Sequence, residues 1–314
     1  MSSGELSVVL GAGPVGRATV DRLVQEGRRV RVVTRSGRSI PGAETAQADL
    51  SDAKQAQRAC DGASVVFGCV GFDYTGWPTR WPPVMDGMLA GAEAASARFV
   101  FMDNLYMYGP VSEPMHEEMP LTDYGRKPAT RALLTRKWEQ AHEQGRVEAA
   151  SVRASDFYGP GTTQAALGDI SFGRVSQGKS AQVLGDPDQP HAFTYVPDIA
   201  RALVDVADAE DAMGQAWNVP NAPARSVREV VRMFAHELGQ DEVKLQKLPS
   251  FMLSVIGLFN ENMREVKEML YQWQGPFLVD SSKFEERFWN DPTPLEEGIA
   301  ATAAWYRDEY ASAS

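Results

Sequence analysis

Cysteine is scarce in this chain: among 314 residues there are two, Cys60 and Cys69, and no C-x-x-C pair. That count excludes a disulfide framework and fits a reducing, cytoplasmic setting. An excess of positive charge is also missing. The formal net charge of −11 argues against nucleic acid as a main partner, because phosphate binding needs a basic face. No apolar leader precedes the first strand pattern. The longest apolar stretch, 248–259, is broken by Pro249, Ser250, Ser254 and Gly257. It falls well short of the about 20 residues needed for a membrane span. There is no G-x-S-x-G elbow, and Asp186, Asp188 and His191 lack a further ligand set, so no metal is expected.

What is present starts at the N-terminus. The apolar run Leu6-Ser-Val-Val-Leu10 leads into Gly11-Ala-Gly13-Pro14-Val15-Gly16, and an amphipathic helical pattern follows. In a strand–turn–helix unit of this kind Gly11 permits the tight turn and Gly13 lets the backbone approach a pyrophosphate. Gly16 lets helix and strand pack closely. The helix N-terminus offers N–H groups and a positive dipole end to phosphates. The competing reading is a tight strand–helix turn with no ligand.

The second strand, 29–34, is followed by an absence that bears on the choice of cofactor. No acidic residue lies between Gly27 and Ala43, where an NAD site would place one to hold the ribose hydroxyls. Arg35 and Arg38 stand there instead, with Thr34 and Ser36 beside them and Arg17 just past the turn. A guanidinium neutralising a 2′-phosphate, with a hydroxyl bonded to it, implies NADP(H) over NAD(H). A solvated basic loop is the alternative.

Strand patterns at 5–10, 29–34, 63–69, 98–103 and 147–153 alternate with helical patterns at 14–26, 52–60, 82–96 and 129–145. This alternation predicts an α/β fold, a Rossmann-type doubly wound parallel sheet with helices on both faces. Residues 1–160 read as the NADP-binding domain, with a later strand near 215–219 returning to it. Residues 161–314 read as a smaller, interwoven substrate lobe with helices near 226–238 and 249–272. Thr293-Pro-Leu-Glu296 reads as a capping box opening a last helix. Asp49 and Leu50, after a short third strand, fall where an adenine ring would lie. Cys69, Val70 and Gly71 end the fourth strand, where a loop would pass beneath the cofactor.

Three further segments carry a resemblance. Phe101-Met-Asp-Asn104-Leu-Tyr-Met-Tyr108-Gly109, Arg153-Ala-Ser-Asp-Phe-Tyr158-Gly-Pro-Gly161 and Phe193-Thr-Tyr195-Val-Pro-Asp198 are similar to blocks of the extended short-chain dehydrogenase/reductase family, including its epimerase/dehydratase branch. The resemblance implies a catalytic Ser or Thr four residues before the Tyr of the Tyr-Gly pair, where this chain has Asn104. It implies a Tyr-x-x-x-Lys pair, and this chain has none. The nearest match is Tyr124 with Lys127, followed by Pro128. Tyr124 and Lys127 are therefore either the acid/base pair or part of a surface turn. The resemblance also implies a dimer through helices 82–96 and 129–145, whose small residues equally suit packing inside the chain.

Asn104 would hydrogen-bond a substrate carbonyl, or it and Asp103 only organise the strand end. Tyr106 and Tyr108, two apart, share a face if the backbone is extended, and either would serve as a substitute acid. His191 is either a pocket residue or structural. The aromatics of 72–81, with the Met-rich stretch 251–269, would roof an apolar or aromatic small-molecule substrate, or simply pack beneath a loop. Three functions follow. The leading one is an NADP(H)-dependent oxidoreductase acting on a small carbonyl or alcohol. The second is a nucleotide-sugar epimerase or dehydratase with retained cofactor, and the third a non-catalytic NADP(H)-binding regulator.

Overall fold

The computed structural model describes residues 4–248 and 261–312. The chain forms two compact units: Met1–Gly109, Glu117–Ala154 and Pro197–Val219 make one, and Pro110–His116, Ser155–Val196 and Pro220–Ser314 the other. Each is built from discontinuous stretches, so the chain passes between them several times.

The first unit is organised by a seven-stranded parallel sheet. Its strands are β1 (Leu6–Leu10), β2 (Arg29–Thr34), β3 (Glu44–Gln47), β4 (Ala63–Gly68), β5 (Arg98–Asp103), β6 (Ala149–Arg153) and β7 (Ala216–Asn218), in spatial order β7-β6-β5-β4-β1-β2-β3. Every ladder is parallel. The sheet runs outward from β1 in both directions, so β1 is the point where strand order reverses, the place where ligands bind in such sheets. The five residues of β1 are all buried, as expected of a central parallel strand covered on both faces.

Helix α1 (Pro14–Gln25) buries Val15, Thr19, Val20 and Leu23 at helical spacing. Helices α2 (Ala53–Cys60), α3 (Trp77–Ala95) and α4 (Lys127–Glu143) complete the set used below. The sequence pattern starts α3 at residue 82, but the helix begins at Trp77, after Gly76 in the left-handed region at φ 73°. Pro78 sits within the first turn, where its missing N–H costs nothing. Pro82 and Pro83 lie inside the helix and deprive only the Pro78 and Thr79 carbonyls of helical partners. Small residues on α3 are used within the chain. A Cβ at Gly87 would collide with the Leu50 carbonyl, and one at Gly91 would lie 2.8 Å from Cys60 Sγ.

The second unit carries three short strand pairs and a helical core. Asp156–Tyr158 pairs in parallel with Phe193–Tyr195, Pro190–His191 antiparallel with Arg225–Ser226, and Ala181–Val183 in parallel with Leu245–Lys247. The helix Val227–Glu237 opens on a capping box in which the Ser226 hydroxyl accepts from the Glu229 N–H and the Glu229 carboxylate accepts from the Ser226 N–H. Its Phe234 stacks on Phe172 at 3.9 Å between ring centres, with Tyr306 edge-on at 5.7 Å. The last helix begins at Leu295, later than Thr293-Pro suggests. Of the predicted helix 249–272, residues 249–260 lie outside the described residues, Glu261–Glu268 is helical, and Leu270–Trp273 is a 3-10 turn. Among the described residues no helix is long and apolar enough to cross a membrane.

Candidate functional site

The first half of the site is made of backbone. At the end of β1 the ladder continues on both sides: the Gly11 N–H donates to the Val33 carbonyl and the Cys69 N–H to the Leu10 carbonyl, both at 2.9 Å. The turn into α1 therefore sits at the carboxyl edge of the sheet, between the ends of β2 and β4. Gly11 has φ 110°, and a Cβ there would lie 2.5 Å from the Cys69 carbonyl oxygen. Only glycine meets both demands. A Cβ at Gly16 would collide with the Gly11 carbonyl, so this glycine serves the turn first, with the Cys69 side chain its next neighbour. Gly13 differs from both: a Cβ there would meet nothing within 4 Å. It is the N-cap of α1, with no side-chain cap and no acidic residue in the first turn. Two N–H groups at Val15 and Gly16 are thus left for an anion. Arg17 folds back over the turn, its Nε donating to the Ala12 carbonyl at 3.1 Å.

Beside this turn lie the residues expected to choose the cofactor. Arg35, Ser36 and Arg38 are exposed at the end of β2, and Thr34 is half-buried. Thr34 Oγ1 accepts from the Arg38 N–H at 2.9 Å, folding the loop back while leaving the hydroxyl proton to donate. Asp49 is exposed and clamped by Ser51, whose hydroxyl and N–H both donate to Oδ1. Those bonds, with the Arg35 guanidinium adding to them, hold the Asp49 carboxyl below its ordinary range. Leu50 is buried in the core of the unit. Cys69 is buried, Val70 half-buried and Gly71 exposed.

The second half is made of side chains. Asn104 follows β5 directly. Its Oδ1 accepts from the Tyr106 N–H at 3.0 Å, and its own N–H donates to Asp103 Oδ1 at 2.8 Å. It does organise the strand end, while its amide N–H2 donates to nothing among the described residues. Residues Tyr106–Tyr108 then form a 3-10 turn, not extended chain. At three residues per turn, positions two apart diverge, so the two tyrosines part. Tyr108 is buried and accepts from Arg153, and burial raises its phenol above the ordinary value. Tyr106 is half-buried, its hydroxyl 3.0 Å from that of Tyr74.

Helix α4 supplies the cations. Lys127 is its first residue, with Pro128 next, and its side chain is fully buried with Nζ 5.5 Å from the Tyr74 ring centre. Tyr124, in the turn before the helix, is 43% exposed. One helical turn on from Lys127, Arg131 lies on the same buried face and donates to Asp103 Oδ1 at 3.0 Å. Its guanidinium stacks 4.7 Å from the Trp77 ring and 4.2 Å from the Trp81 ring. Burial pushes the Asp103 carboxyl up, with Arg131 and Arg153 pulling against it. The aromatics of 72–81 are thus walls around a buried arginine, more than a roof over open space. Tyr74 is legible only as one of the 72–81 aromatics and Asp103 only as a strand-end residue, and Arg131 is not legible as a site residue. The one sequence signal for Arg131 is its i+4 spacing from Lys127.

In the second unit His191 is buried, with Nε2 2.8 Å from Asp156 Oδ2 and its ring stacked on Trp273 at 4.1 Å and Phe277 at 4.7 Å. Every face of the imidazole is occupied by packing or by Asp156, which is the structural reading of this residue.

A parallel sheet reversing at β1, with a glycine turn at that point, defines a Rossmann-type dinucleotide fold. The family described as NAD dependent epimerase/dehydratase matches residues 7–219, and the chain belongs to it. Over 164 residues it is 29% identical to a dTDP-4-dehydro-6-deoxy-D-allose reductase of Streptomyces sp., a match covering 50% of this chain and 42% of that protein. Over 179 residues it is 26% identical to 3beta-hydroxysteroid-dehydrogenase/decarboxylase isoform 2 of Arabidopsis thaliana, covering 48% of this chain and 30% of that protein. The chain thus spans less than half the length of either curated relative. Among solved structures, an epimerase of the methanogen Methanothermobacter thermautotrophicus superposes with a TM-score of 0.82 at 18% identity, over 99% of this chain and 94% of that one.

Proposed function

We propose that this chain is a nicotinamide-dinucleotide-dependent oxidoreductase that prefers NADP(H) and acts on a small carbonyl or alcohol. The observation that carries the reading is the uncapped start of α1 over open space at Gly13, flanked by exposed Arg35 and Arg38 where β2 ends without an acidic residue. Gly13, Val15 and Gly16 would hold the pyrophosphate through backbone N–H groups. Arg35, with Thr34 and Ser36, would hold the 2′-phosphate, and Asp49 and Leu50 would border the adenine. Cys69, Val70 and Gly71 would lie beneath the dinucleotide. When bound, the cofactor supplies or accepts the hydride at the substrate carbon. Asn104 would donate its amide hydrogen to the substrate oxygen, and buried Lys127 would place a positive charge beside the phenols of the site. The reductase and dehydrogenase relatives support this class of reaction.

The family match favours a second reading, in which the substrate is a nucleotide-sugar and the cofactor is retained through the cycle; the dTDP-sugar reductase supports the substrate class alone. The test is to follow NADPH absorbance with a plain cyclic ketone, and separately with a dTDP-linked 4-keto sugar. Net NADPH consumption with the ketone supports the first reading, and consumption with the sugar alone overturns its substrate class. Sugar conversion without net consumption supports the second. Tight NADPH binding with neither reaction overturns both in favour of a binding role.

A further inference from the structure

The chain lacks a Tyr-x-x-x-Lys pair, yet its sheet edge holds two tyrosine hydroxyls in hydrogen-bond contact beside a buried lysine. Tyr74 comes from the loop after β4 and Tyr106 from the turn after β5, and these two strands are neighbours in the sheet. Their loops therefore emerge side by side at the edge that carries the glycine turn. The hydroxyls are 3.0 Å apart in a partly buried setting. The Tyr74 ring lies edge-on to Trp77 at 5.3 Å, and Tyr106 stacks on the same indole at 6.1 Å. Both phenols are fixed by packing, so the contact is not a chance meeting of mobile side chains.

We infer that the Tyr74–Tyr106 hydroxyl pair, set beside Lys127, is the proton donor of the site, in place of the family's helix-borne tyrosine. The inference rests on the oxidoreductase reading above. Physically, the pair is suited to holding and giving a proton. When one phenol is ionised, the other donates its O–H to it and stabilises the phenolate. Lys127 Nζ stands 5.5 Å from the Tyr74 ring centre, and the Arg131 charge couples electrostatically to both phenols. Of the two cations, Arg131 also donates to the Asp103 carboxylate at 3.0 Å. On the loop itself, Asp73 is paired with Arg80 at 2.8 Å. Tyr108 does not share this setting, being buried against Arg153.

In the direction of reduction the step balances as follows. A phenol O–H bond breaks as an O–H bond forms on the substrate oxygen, and the substrate carbon is reduced by the hydride that the reduced dinucleotide gives up. The phenolate left behind takes its proton from the partner hydroxyl, which is resupplied by solvent. The alcohol oxidation runs the same transfers backwards.

The test is an ultraviolet difference titration of tyrosinate in the cofactor-free protein, with NADPH affinity measured by calorimetry on each variant. One of the nine tyrosines is expected to ionise at about tenfold higher proton concentration than the next to titrate. Tyr74→Phe abolishes that step, while Tyr106→Phe and Lys127→Gln move it to higher pH. Tyr124→Phe leaves it in place. NADPH affinity in Tyr74→Phe and Tyr106→Phe stays within about twofold of the parent, because neither hydroxyl is asked to hold the dinucleotide. With NADPH binding intact, the absence of an early tyrosine overturns the inference alone. So does an early step that survives both Tyr74→Phe and Tyr106→Phe, or one lost in Tyr124→Phe. Failure of the parent protein to bind NADPH overturns the cofactor reading, and the proton-donor role falls with it.

Discussion

The turn between β1 and α1 and the cluster between β5 and α4 lie at the same edge of one sheet, but they are made of different material. The turn is backbone: Gly11 at φ 110°, Gly16 against the Gly11 carbonyl, and Gly13 facing open space. The cluster is side chains drawn from three separated segments, with half-buried Tyr74 and Tyr106 beside buried Lys127, and Asp103 with Arg131 packed against Trp77 and Trp81. A backbone site fails through shape, when a Cβ is added at Gly11 or Gly16. A side-chain site fails through charge, when one partner of a buried pair is removed. The two regions should therefore respond to mutation in opposite ways.

The largest effect is expected at the buried ion pair of the cluster. Arg131→Met leaves Asp103 buried without its ion partner and should lower stability by about 3–5 kcal/mol, read as a fall in the urea midpoint. In the turn, Gly16→Ala drives a methyl into the Gly11 carbonyl. Relieving that overlap should cost about 1–3 kcal/mol, and the distorted N–H groups should lose NADPH affinity. Equal loss of NADPH affinity in both variants at matched stability would erase the distinction drawn between them.

This contrast also explains what the sequence revealed. The glycine turn was readable because backbone geometry is encoded in short-range spacing: Gly11, Gly13 and Gly16 fall within one strand–helix unit. Strand alternation gave the parallel sheet for the same reason, including the return of residues 216–218 to its edge. Tyr106, Lys127 and the aromatics of 72–81 are each legible as candidates, but their meeting is not, because no local pattern says that a tyrosine at 74 meets one at 106. Two local rules misled. Tyr106 and Tyr108 share a face only on extended chain, and the 3-10 turn separates them. The helical pattern starts at 82, whereas the helix begins at Trp77, directly after Gly76.

Smaller effects sharpen the comparison within the turn region. Arg35→Glu removes a charge-assisted contact proposed for the 2′-phosphate and should weaken NADPH by about 1.5–3 kcal/mol, with NADH little changed by calorimetry. Equal losses for both cofactors would refute the role given to Arg35. Cys69 lies directly under the turn, its carbonyl against Gly11. Burial pushes the thiols of Cys60 and Cys69 up to about 12, so neither should react with a thiol reagent at neutral pH while the protein is folded. Rapid labelling of Cys69 in the native protein would show that this edge opens.

The most direct test of the central claim is a calorimetric titration of the cofactor-stripped protein with NADPH and with NADH. The account predicts binding of both, with NADPH the tighter. Binding of neither would contradict it, leaving the glycine turn as packing alone and removing the basis for an oxidoreductase.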